Sequence, residues 1–92
     1  MYHLFFKHSF RCPISLAAKK EVQKFLDQNK QDIEFEEIDV INNRERSMEI
    51  ADLFNIQHQS PQLIISSSNN ELIFHTSHWD ITATIIHDTI DK

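Results

Sequence analysis

The sequence predicts a single α/β domain over residues 1–92, in the order β-α-β-α-β-β-α. Three observations predict it. An apolar, aromatic run, Tyr2 to Phe6, is followed by helical spacing that opens at Pro13. A second strand-like run, Ile33 to Val40, precedes a second helical stretch, Arg44 to Phe54. Two short apolar runs, Leu63–Ile65 and Leu72–Phe74, then flank the turn-forming Ser67-Ser68-Asn69-Asn70, ahead of a last helical pattern.

Tyr2 to Phe6 has the composition of a buried central strand, and Lys7 to Arg11 reads as a polar connector. From Pro13 the apolar residues Ile14, Ala18, Val22, Phe25 and Leu26 share one helical face. Asn29 is the expected left-handed terminator. In Ile33 to Val40, the Ile33/Phe35 and Glu34/Glu36 alternation predicts one buried and one wet face. Glu36-Glu37 breaks that period and suggests a bulge. Asn42-Asn43 forms a turn, and the next helix is expected to bury Met48, Ala51 and Phe54. Gln57 to Ser60 is linker, and Ser60-Pro61 opens the strand Gln62 to Ser66, where proline is tolerated. Asp80 is the expected N-cap of a last helix with Ile81, Ile85, Ile86 and Ile90 on its apolar face. Strands joined by a helix should be parallel with a right-handed crossover, and the last pair antiparallel. The result is the thioredoxin-like layout in its minimal, glutaredoxin-type form: a four-stranded mixed sheet flanked by three helices.

Composition narrows the function. Hydrophobic content of 40% and charge of 25% are those of an ordinary soluble globular protein. A net charge of −5, with no Lys/Arg cluster, argues against nucleic acid. No apolar run approaches a membrane span, and the N-terminus lacks the pattern of a signal peptide. A single cysteine cannot form an internal disulfide, which fits a reducing cytoplasm. With no glycine in the chain, positions of positive φ are expected to fall to Asn, Asp or Ser.

That cysteine is the candidate for chemistry. Proline is favoured at the first helical position, so Cys12-Pro13 places Cys12 at the N-cap, beside free backbone N–H groups and the positive end of the helix dipole. Such a setting lowers a thiol pKa from about 8.5 to roughly 3.5–7.5. Lone cysteines are commonly small core residues. One that directly precedes a helix-opening proline, among Lys7, His8 and Arg11, is poorly explained that way. Ser15, at the third helical position, can bond back toward the cap. Lys7, His8 and Arg11 either support the thiolate by charge or are solvated loop residues. Pro61 is either a recognition element or an ordinary strand opener, Trp79 a flat binding wall or core, and Asp80 a ligand group or only a cap. Six histidines show no zinc-type ligand spacing.

Lys7-His8-Ser9-Phe10-Arg11-Cys12-Pro13-Ile14-Ser15, with Ser60-Pro61-Gln62 and His75-Thr76-Ser77-His78-Trp79-Asp80-Ile81-Thr82, resembles the YtxJ family, the monothiol bacilliredoxins. The resemblance runs over essentially the whole chain. It implies a thiol–disulfide oxidoreductase that removes bacillithiol from mixed disulfides on client proteins. Cys12 would be the nucleophile, with Arg11, Pro13, Ser15, His8 and Lys7 supporting its thiolate. Where thioredoxins carry a second, resolving cysteine, this chain has Ser15, so free bacillithiol would have to complete the cycle and a separate reductase would recycle the small disulfide. The resemblance also implies a cis Ser60-Pro61 bond that pairs with an extended client segment. His78, Trp79 and Asp80 would hold the polar end of the small thiol, whose malate carboxylates suit nearby cations. Two alternatives stand beside this: a non-catalytic thioredoxin-fold adaptor, and a glutaredoxin-like protein bridging an iron–sulfur cluster. No metal, nucleic acid or membrane partner is expected.

Overall fold

The computed structural model describes residues 1–9 and 11–91. Its elements are β1 (Tyr2–His8), α1 (Pro13–Gln28), β2 (Ile33–Asp39), α2 (Arg44–Phe54), β3 (Gln62–Ser67), β4 (Leu72–Ser77), a 3-10 turn (His78–Asp80) and α3 (Ala83–Ile90). The sheet order is β2-β1-β3-β4. β1 pairs parallel with β2, and β3 pairs antiparallel with both β1 and β4. The expected thioredoxin-like topology is therefore the observed one.

The two-residue period of β1 divides the molecule into layers. Leu4 and Phe6 face α1 and α3, forming a core with Val22, Phe25, Leu63, Ile65, Ile86 and Ile90. Phe5 faces the other way and packs with Ile38, Ile50, Phe54 and Ile64 beneath α2. Burying side chains of this size contributes roughly 1.5–3 kcal/mol each. β1 is buried on both faces because helices cover both, the usual cause of a near-continuous apolar strand.

Several local expectations need correction. β1 runs on through Lys7 and His8, so these are not connector residues; they are 0% and 2% exposed. Phe10 of that expected connector lies outside the described residues. Glu36-Glu37 makes no bulge: β2 keeps continuous register with β1 from Ile33 to Asp39, and the register shift falls at Ile65/Ser66. Phe35 is exposed because β2 is an edge strand with Ile38 as its buried residue. α2 buries Ser47, Ile50, Ala51 and Phe54 and leaves Met48 exposed. Asn29 is extended, its amide spent on Gln31, whereas Asn55 is the left-handed terminator of α2. Asp80 is not a helix cap. The helix begins two residues later, capped by Thr82, whose Oγ1 accepts from the Ile85 N–H at 3.1 Å. Positive φ falls at Asn55 and Asn70, as the lack of glycine implied, and also at His78.

The buried ammonium of Lys7 has an energetic consequence. Burial pushes its pKa down from 10.5 to about 8. Below about 8 the folded and unfolded chains both carry the proton, and folding bears the full desolvation cost, on the order of 3 kcal/mol. Between about 8 and 10.5 the unfolded chain binds the proton that the folded chain has released, so that cost fades as pH rises. Lys7→Met is therefore expected to stabilise the fold at neutral pH by about 1–3 kcal/mol, net of the hydrogen bond it removes. Denaturant unfolding at neutral pH and near pH 10.5 checks this, the gain disappearing at the higher pH.

Candidate active site

The site begins where β1 ends. Lys7 pairs with Gln62, so the loop leaving β1 and the segment entering β3 emerge side by side at one end of the sheet. The first loop carries Cys12 and the second Pro61, joined to Ser60 by a cis peptide bond. The Cys12 N–H donates to the Ser9 carbonyl at 3.1 Å, and its own carbonyl accepts from Leu16 N–H, the first turn of α1.

Cys12 is the N-cap, in extended conformation, with Pro13 opening the helix. The thiol is partly exposed and unbridged. The Ser15 backbone N–H does most to hold its pKa below the ordinary cysteine value, assisted by the Ile14 N–H and the Ser15 hydroxyl. Partial burial works in the opposite direction and loses. These are the orphan N–H groups of a helix start, turned toward the one atom able to carry a negative charge.

Ser15 does more than its expected part in a capping box. It is 1% exposed, and its Oγ accepts from Ser9 N–H at 3.1 Å rather than from the cap residue. A hydroxyl that accepts on one side keeps its own proton available to donate elsewhere. Ser15 thus ties the β1–α1 loop to the helix start, and its hydroxyl contributes to the lowering of the thiol pKa.

The cations are arranged differently from the sequence reading. No charge contribution from Lys7, His8 or Arg11 figures among the causes of the Cys12 shift. Arg11 is exposed, with its backbone N–H on Ser9 Oγ. His8 stacks on Phe6 and lies 3.5 Å from Glu37, which also meets Lys19 at 3.3 Å. Lys7 points to the α2 face of the sheet, its Nζ 3.3 Å from His58 Nδ1. Sequence reasoning did not single out His58, which lies in the unremarkable linker Gln57–Ser60; the one available signal was that this linker leads directly to Pro61.

The 3-10 turn joins the site through its backbone. His78 N–H donates to the Pro61 carbonyl at 3.1 Å, with His78 at φ 56°, in the left-handed region. Trp79 is 68% exposed and so is not core. It lines a groove of about 330 Å³ with Ala17, Lys20, Glu21, His78 and Thr82. Glu21, in the same lining, accepts from the Ala83 N–H at 3.0 Å and so ties α1 to the start of α3. Asp80 is exposed. A larger concavity of about 580 Å³, among His3, Phe5, Glu34, Glu36 and Arg46, opens near the start of β1, at the end of the sheet away from Cys12. Among the described residues no three His, Cys, Asp or Glu side chains gather in a metal-binding group. None of their helices is long and apolar enough to cross a membrane.

Known proteins share this fold. Residues 1–86 match the profile of a family described as monothiol bacilliredoxin BrxC. A protein described as a candidate oxidoreductase with a thioredoxin fold superposes with a TM-score of 0.84 at 33% identity, covering 96% of this chain and 76% of its own. Thioredoxin from Fasciola hepatica (TM-score 0.74, 14% identity, 98% of this chain and 78% of that one) shares the fold. So does thioredoxin 1 from Thermosipho africanus TCF52B (0.73, 19%, 97% and 90%).

Because backbone N–H groups dominate the Cys12 shift, Ser15→Ala should move the thiol only part of the way back toward free cysteine. Pro13→Ala, which loosens the helix start, should also raise it. Alkylation rate against pH measures both midpoints; two midpoints identical to wild type would show that the first turn of α1 does not tune the sulfur.

Proposed function

The chain belongs to the monothiol bacilliredoxin BrxC family, and from that premise we propose that it removes bacillithiol from mixed disulfides on client proteins, with Cys12 as the nucleophile. The observation that carries the proposal is the single thiol at the tip of α1, lowered in pKa by the helix N–H groups, with Ser15 in the place of a resolving thiol.

The Cys12 thiolate attacks the bacillithiol sulfur of protein–S–S–bacillithiol. The Cys12–S–S–bacillithiol bond forms, the original S–S bond breaks, and its electron pair leaves on the client sulfur, which takes up a proton. Ser15 has only a hydroxyl, so no intramolecular attack can follow. A second bacillithiol, as thiolate, attacks the bound small-thiol sulfur, returns Cys12 as thiolate and departs as the symmetric disulfide. A separate reductase supplies the electrons that recycle it. Attack is fastest when the thiol pKa lies near ambient pH, and a lowering by two N–H groups and a hydroxyl moves Cys12 in that direction.

In this reading the cis Ser60-Pro61 segment meets the extended client chain through its backbone. Trp79 offers the small thiol a flat wall, Lys20 a cationic neighbour and His78 a polar one, and Asp80 and Arg11 stand at the exposed rim. The cytoplasm, where client thiols and bacillithiol occur together, is the proposed compartment.

Two measurements test this. Cys12→Ser should abolish release of the small thiol from a bacillithiolated client peptide; release unchanged in that variant would leave an adaptor that binds without exchanging. Wild-type protein incubated with bacillithiol disulfide and, separately, glutathione disulfide should by intact mass acquire the bacillithiol adduct preferentially. Equal adducts would refute the choice of small thiol while leaving thiol exchange intact.

A further inference from the structure

The segment leading into Pro61 is gripped from the α2 side by side chains that the exchange chemistry does not use. His58 Nδ1 lies 3.3 Å from Lys7 Nζ and 3.1 Å from Ser47 Oγ. Lys7 and Ser47 are 0% and 1% exposed. Gln62, also buried, brackets the same segment: its Nε2 donates to the Gln57 carbonyl at 3.0 Å, and its Oε1 accepts from Gln59 N–H at 3.4 Å. Three elements, β1, α2 and β3, thus converge on the few residues before the cis bond, while His78 N–H holds the Pro61 carbonyl beyond it. Burying a lysine is costly. Here its ammonium is committed to one acceptor, on a loop.

For Nδ1 to accept from an ammonium it must offer its lone pair, so His58 is neutral with its ring proton on Nε2. We propose that His58 is a positioning residue for client capture: its Nδ1, held between Lys7 and Ser47, fixes Gln57–Ser60 so that the backbone at Ser60-Pro61 is pre-set to pair with an extended client chain. This rests on the function proposed above and adds to it a recognition device on the face of the sheet opposite α1. It also reassigns Lys7 from the sulfur to the client-binding segment.

The device is keyed to pH. Burial, and the charges of Lys7 and Arg44, hold the His58 ring below the ordinary histidine range. Around the pair, β2 presents Ile38 beside Lys7, and Glu36 further along is held by Arg46. α2 presents Arg44 and Ser47, β3 presents Gln62, and β4 presents Ser77 with His75 one residue-pair beyond Thr76. No carboxylate in this set is free to compensate a second positive charge. When His58 gains a proton in acid the lone pair is lost, two cations face each other, and the grip on the segment fails.

The test follows release of the small thiol from a bacillithiolated client peptide, reading KM and kcat across pH, with iodoacetamide alkylation of Cys12 in parallel. His58→Leu removes the acceptor and should raise KM about tenfold, the worth of one hydrogen bond to a charged group, with the alkylation rate unchanged. His58→Asn keeps an acceptor at the Nδ1 position but cannot titrate. It should hold KM near wild type at neutral pH and abolish the acid rise that wild type shows. Lys7→Met should raise KM in a protein at least as stable as wild type, so a misfolded His58→Leu would not block the test. KM unchanged in Lys7→Met and in folded His58→Leu, beside an active wild type, overturns this inference alone. KM and alkylation rate changing together in Lys7→Met also overturns it, since the effect would then lie on the sulfur. A wild type that releases nothing overturns the proposed function and this inference with it.

Discussion

The structure depends on one electrostatic arrangement: a sulfur at the N-terminus of α1, where the backbone N–H groups of the first turn favour its thiolate. Three neighbouring features hold that helix start in place. β1 delivers the chain to one end of the sheet, Ser15 stitches the loop back through Ser9, and Pro13 sets the first helical dihedral without wasting a donor. Cys12 remains partly exposed, which a nucleophile requires and a core residue does not. A lowered thiol with no partner thiol in its own chain suits exchange with small thiols supplied from solution, the thiol redox role that the monothiol family and the thioredoxin fold support.

A second layer of organisation lies on the other face. The helix carrying the sulfur packs against Leu4, Phe6, Leu63 and Ile65, while the segment carrying Pro61 is managed from the α2 side through Lys7, Ser47, His58 and Gln62. The two halves of the site are thus set by separate cores sharing one sheet. That division leaves the sulfur and the Pro61 segment supported by different sets of side chains.

Much of this could be read from the residues, and the failures are instructive. Element order followed from apolar periodicity, and Cys12-Pro13 announced a helix start because proline has few other uses there. Lys7 and His8 extend β1 although a periodicity argument ends a strand at polar residues; here a histidine acceptor and a stacked phenylalanine make their burial tolerable. Asp80 and Thr82 are both good caps, and only the 3-10 turn, held by Pro61, decides for Thr82. The contact between Lys7 and His58 spans fifty-one positions and three elements, so no local pattern could have signalled it. The cis bond was implied by resemblance alone, since composition does not distinguish the two isomers of Ser60-Pro61.

The most direct test of the central claim is the titration of the wild-type thiol itself. Cys12 is the only cysteine, so the ultraviolet absorbance of its thiolate, followed against pH in the folded protein, reports one sulfur without ambiguity. The account predicts a single midpoint clearly below that of free cysteine in the same buffer, returning to the free value when the protein is unfolded in denaturant. A folded-state midpoint at or above that of free cysteine would contradict it.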